Sequence, residues 1–149
     1  MTLRTIDLHL IHFFKRYSEP MARVAICVVY VWFGALKVFG FSPASKLVSD
    51  LLAQTIPFMS PGVFIFYFGL FEVLIGIFFV IRGLERLVIP FLLLHLITTI
   101  LPLFLLPSIA WTAFLIPTME GQYIIKNILI IACAMGIASH LHVIKKIEV

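Results

Sequence analysis

Apolar residues recur every three to four positions at the start of the chain. Leu3, Ile6, Leu10, Phe13, Phe14 and Tyr17 share helical spacing, while Arg4, Asp7, Lys15 and Arg16 fall on other faces. That period predicts an amphipathic helix over residues 3–17, lying on a membrane surface. Ser18-Glu19-Pro20 is expected to end it and start the next helix, because proline fits a first helical turn but not an interior one. From there the pattern changes from periodic to nearly continuous. Four apolar runs, about 21–41, 63–81, 87–106 and 122–143, each approach the roughly 20 residues that a helix needs to cross a bilayer. Between the first two, Ser42-Pro43 reads as an N-cap and first-turn proline of a short amphipathic helix carrying Leu47, Val48, Leu51, Leu52 and Thr55. Pro57 to Gly62 breaks that helix, Arg82 to Arg86 forms a tight polar turn, and the proline-bounded stretch 107–121 is expected at the interface, where Trp111 would settle. The predicted fold is all-α: one domain, a bundle of four transmembrane helices with an interfacial helix before it.

Composition agrees with the pattern. Of 149 residues, 62% are hydrophobic and 12% charged, with a mean hydropathy of +1.16, well outside the range of soluble domains. The net charge of +4 does not point to nucleic acid, since the basic residues stand at helix ends without aromatic or glycine interleaving. They report topology. Arg4, Lys15, Arg16, Arg23, Arg82, Arg86, Lys145 and Lys146 fall on one side, and only Lys46 lies in a loop on the other, so both termini are expected in the cytoplasm. Cys27 and Cys133 sit at different depths in predicted spans and read as small buried hydrophobes rather than a disulfide. No cleavable signal is expected, the first span serving as its own targeting signal.

Each span carries a stripe of small or polar residues containing an ionisable group. The stripes are Tyr30, Gly34 and Lys37; Gly69, Glu72 and Gly76; His95, Thr98, Thr99 and Pro102; and Tyr123, Lys126, Asn127 and Ala134. Small residues allow close helix approach and ionisable ones avoid lipid, so the stripes are expected to face one another. At about 1.5 Å per residue, Lys37 and Lys126 lie roughly 6 Å below the outer boundary and Glu72 roughly 14 Å below it. Helical side chains lean toward the N-terminus, which aims Lys37 inward and Glu72 outward, toward each other. Left unpaired, the two charges would cost on the order of 5 to 7 kcal/mol, at about 2.5 to 3.5 kcal/mol each. A Lys37–Glu72 pair either locks two helices or, with Tyr123, Lys126 and Asn127 nearby, makes a donor-rich pocket for a quinone carbonyl, a small oxyanion or a lipid headgroup. Lys126 alone would snorkel to the rim. His95 reads as hydrogen-bonded packing and only weakly as a ligand-binding residue. No second spanning histidine stands opposite it for haem, His140 and His142 read as interfacial, and neither zinc-ligand spacing nor a phosphate loop is present.

These residues carry a resemblance. Trp32-Phe-Gly-Ala-Leu-Lys37, Gly69-Leu-Phe-Glu-Val-Leu-Ile-Gly76 and Pro117-Thr-Met-Glu-Gly-Gln-Tyr-Ile-Ile-Lys-Asn127 resemble elements of the DoxX-like superfamily, small four-helix bacterial membrane proteins. The superfamily includes membrane subunits of thiosulfate:quinone oxidoreductase and the reactive-chlorine-resistance membrane proteins. The resemblance covers residues from about 23 to 140 and implies a bacterial inner-membrane protein in a redox setting. On it, Lys37, Glu72, Lys126 and Asn127 occupy the family's polar positions and quinone is the implied cofactor, with other membrane or redox subunits as partners. No cysteine lies on the outer face to handle thiosulfate. The expected function is a quinone-associated subunit; the alternatives are a non-catalytic accessory or assembly subunit and, with least support, a solute or proton pathway.

Overall fold

The computed structural model describes residues 3–141. The expected positions of His142, Val143, Lys145 and Lys146 lie outside these. The chain is mostly helical, and four of its described helical stretches are long and apolar enough to cross a membrane: Arg4–Val38, Pro61–Val80, Glu85–Leu105 and Met119–Ala138.

Helix α1 runs unbroken over Leu3–Val38, with Pro20 in its interior, which corrects the stop expected at 18–20. Proline removes one backbone N–H and crowds the preceding turn, but the Glu19 carboxylate accepts from Arg23 Nε at 3.0 Å and from Nη2 at 2.8 Å. The pair brackets the proline one turn apart. The segment before it is exposed along nearly its whole length, Phe13 and Phe14 included. At its other end α1 closes with the Phe41 N–H donating to the Leu36 carbonyl and the Gly40 N–H donating to that of Lys37. Gly40 supplies the positive φ, +78°, that this cap requires. Lys37 therefore sits in the last turn, where the helix dipole favours a cation.

After a turn at Ser42-Pro43, α2 spans Ser45–Thr55, two residues later than the cap predicts. Its Lys46 is exposed and paired with Asp50 at 2.8 Å, a hydrogen bond that raises the lysine pKa. Helix α3, Pro61–Val80, starts with proline in its first turn. Helix α4 covers Glu85–Ile100 and is prolonged by the single turn α5, Pro102–Leu105. The stretch expected at the interface folds into the short α6, Pro107–Ala110, and a small antiparallel pair, β1 Trp111–Ala113 with β2 Ile116–Pro117. The Trp111 indole N–H donates to the Leu103 carbonyl at 2.9 Å, fastening the pair to α5. The last span is two helices, α7 Met119–Ile125 and α8 Asn127–Ala138, interrupted at Lys126. Ser139 and His140 form a turn, so the span ends short of the expected 143.

The α1–α3 packing is the most extensive in the molecule, and glycine explains it. A Cβ on Gly34 would stand 2.6 Å from the Gly69 carbonyl oxygen, and one on Gly69 2.6 Å from the Lys37 Cβ. Main chain touches main chain there, as small residues permit. Ile26, Ile75, Phe79, Val88, Leu92, Leu96 and Ile137 form the hydrophobic core.

Candidate functional site

Tyr30 and Lys37 are seven residues apart, two helical turns, and so project from one side of α1 on either side of Gly34. Opposite them stand Glu72 from the middle of α3 and His95 from α4. The four side chains join end to end. Lys37 Nζ lies 2.6 Å from Glu72 Oε2, as the lean of the two helices requires. The other carboxylate oxygen, Oε1, lies 2.9 Å from His95 Nε2, and His95 Nδ1 lies 3.0 Å from the Tyr30 hydroxyl. All four residues are buried.

With Glu72 as a carboxylate and His95 as the Nε2–H tautomer, Lys37 and His95 both donate to Glu72, and Nδ1 accepts from the Tyr30 O–H. Each polar atom of these four side chains has at least one partner, and among the described residues no buried side-chain nitrogen or oxygen lacks one. Removing one member of such a buried pair costs about 3 to 5 kcal/mol, because the survivor keeps its desolvation cost.

Aromatic rings enclose the chain. Phe64, Phe68 and Glu72 follow one another at i, i+4 along α3, so the rings stack toward the carboxylate. Phe64 lies on Phe68 at 5.4 Å between centroids and 17° between planes, and Phe68 lies on the His95 imidazole at 4.9 Å and 23°. The Lys37 ammonium sits 5.8 Å from the Phe68 centroid, within cation–π range. Phe64 and Phe68 are only half-buried.

Of the residues that the sequence singles out, Lys37, Glu72 and His95 are brought together. Tyr123 and Lys126 are not. Both are exposed, and the Lys126 ammonium rests 5.2 Å from the Tyr123 ring centroid on the outside of the bundle. The reason is rotational: Gly121, Ile124, Ala134 and Ile137 form the buried stripe of this span, and Lys126, two residues past Ile124, is turned about 200° away. Asn127 is half-buried and donates to the Thr99 hydroxyl at 3.3 Å, a bond between the fourth and third spans and not to the pair. The five-residue pocket expected from sequence is therefore corrected to a chain on α1, α3 and α4.

His95 is hydrogen-bonded packing, as the sequence reading expects, but its partners are Glu72 and Tyr30. It lies ten residues into α4, about 15 Å from the end where Glu72 is about 12 Å in, and its lean toward the N-terminus brings the two level. Both imidazole nitrogens are used. Tyr30 shares the stripe of Gly34 and Lys37 but carries no charge to mark it.

A second polar cluster went unread. Arg23, taken for a topological charge, is buried and donates to Glu19, to Glu85 Oε1 at 2.6 Å and to the Phe79 carbonyl at 3.2 Å. Glu85 Oε2 accepts from the Gly83 N–H at 2.8 Å. The i, i+4 spacing of Glu19 and Arg23 was its only signal. A cavity of about 250 Å³ adjoins it, lined also by Arg82, Ile137, His140 and Leu141. The core residues Ile26, Phe79, Val88 and Leu92 stand between this end and Tyr30. Cys27 and Cys133 are free and half-buried.

No family model, curated protein or solved structure matches the chain.

Proposed function

We propose that the chain is a DoxX-like protein of the bacterial inner membrane, with both termini in the cytoplasm, acting as a quinone-associated subunit of a membrane redox system. The observation that carries this reading is the buried chain Lys37–Glu72–His95–Tyr30. Quinone reduction and oxidation move protons together with electrons, and a run of four proton-bearing groups in an apolar interior is suited to accept or supply them. The ammonium is also the donor that a quinone carbonyl needs.

The test is direct. Protein purified in mild detergent should retain quinone or bind added decylubiquinone, and Lys37→Ala should weaken that binding by about tenfold or more. Purified protein with no extractable quinone, and no difference between wild type and Lys37→Ala on adding it, rejects the reading.

One observation favours a second reading, a non-catalytic accessory or assembly subunit. The first four turns of α1 project apolar side chains, including Phe13 and Phe14, that nothing in the described chain covers, and a neighbouring subunit would bury them. Under this reading a stable complex co-purifies, survives Glu72→Gln with its activity unchanged, and is lost when Phe13 and Phe14 are replaced by serine.

A further inference from the structure

The stack Phe64–Phe68–His95 ends on an imidazole whose nitrogens are occupied, so what it offers a ligand is a flat face. Phe68 is the middle ring. It covers the imidazole on one side and the Lys37 ammonium on another, while its own half-buried position leaves part of it at the surface of the described chain. No other aromatic ring lies against both the ammonium and the imidazole among the recorded contacts of the described residues.

The geometry points to the place of the Phe68 ring as a planar-ring subsite: a p-quinone headgroup coming from the bilayer displaces Phe68 outward and takes its position between Phe64 and His95, with one carbonyl accepting from Lys37. This rests on the quinone reading above and deepens it by saying where the headgroup binds and what guards it. Three properties of the position select the ligand class. It is bounded by flat faces about 5 Å from the ring that fills it, which favours a planar ring over a branched chain. It holds a hydrogen-bond donor, the ammonium, of whose three protons Glu72 Oε2 takes one. Its occupant is a single half-buried side chain, which can leave by a change of rotamer.

The experiment is menadione binding to the full chain in detergent, with 2-methylnaphthalene as a ring that lacks carbonyls. Phe68→Ala leaves a ring-sized space beside Lys37 and should tighten menadione binding by about tenfold, whereas 2-methylnaphthalene gains much less. Adding Lys37→Met together with Glu72→Gln should abolish the difference between the two compounds. Phe68→Leu, which keeps more of the packing volume, serves if the alanine variant does not fold and should give a smaller change of the same sign. Menadione affinity within about twofold of wild type in a folded Phe68 variant overturns the subsite. If wild type nonetheless binds quinone in a Lys37-dependent way, the quinone reading stands and only the subsite falls. Equal gains for menadione and 2-methylnaphthalene overturn the assignment of Lys37 as carbonyl donor. No binding of any quinone to wild type or variant rejects both.

Discussion

Lys37 and Glu72 were legible because charge in an apolar run demands an answer, and the lean of side chains along oppositely directed helices says where to look. The same demand predicts how the pair fails. Lys37→Met leaves a buried carboxylate with only His95 beside it and should destabilise the protein by about 3 to 5 kcal/mol, while Lys37→Met combined with Glu72→Gln should recover much of the loss. Thermal unfolding in detergent, followed by circular dichroism, measures both; equal loss in the single and double variants refutes a pairwise dependence. Tyr30 and His95 were harder to assign. A neutral hydroxyl costs too little to announce itself, and the position of His95 depends on where α4 begins, which is known from sequence only to within a few residues. Three residues along a helix is about 4.5 Å, the difference between meeting Glu72 and passing it.

At the scale of elements, the spans were readable from length and apolarity, but their rotation was not. Lys126 shows why. Its stripe was drawn through Tyr123, Lys126 and Asn127 on the assumption of a polar inner face, yet the buried positions are Gly121 and Ile124, set by the close approach of Gly121 to the Ala110 carbonyl. That contact, with the segment before the span, accompanies the facing the sequence did not give. Glycines on α1 and α3 give a sharper prediction. Gly34→Ala and Gly69→Ala force a Cβ against main-chain or near-main-chain atoms at 2.6 Å and should each cost about 1 to 3 kcal/mol. Gly136→Ala meets nothing within 4 Å and should be neutral or stabilising by up to about 1 kcal/mol, from helix propensity. Melting temperatures of the three variants should separate into those two groups. Pro20 teaches the opposite lesson, since a residue that ordinarily stops a helix lies in the interior of α1.

For the whole molecule, orientation is the open quantity that charge settles in principle. Arg4, Lys15, Arg16, Arg82 and Arg86 gather toward one end of the described bundle, and Lys46 lies in the connection at the other. With the native cysteines replaced by serine, Arg4→Cys should react with a membrane-impermeant maleimide in inverted vesicles and not in intact cells, and Lys46→Cys should do the reverse. Labelling of both from the same side contradicts a crossing by α1. Arg23 shows the limit of charge counting, because a residue that votes for orientation in sequence is spent on holding Glu19, Glu85 and the end of α3 together.

Since Gly34 and Gly69 bring peptide groups into direct touch, the gauge between the first two spans is fixed by atoms common to every residue rather than by whichever side chains happen to fill a gap. The ammonium and carboxylate one turn away inherit that gauge. A single methyl inserted at the seam would widen it, so the smallest residues in the protein set the separation of its most polar ones.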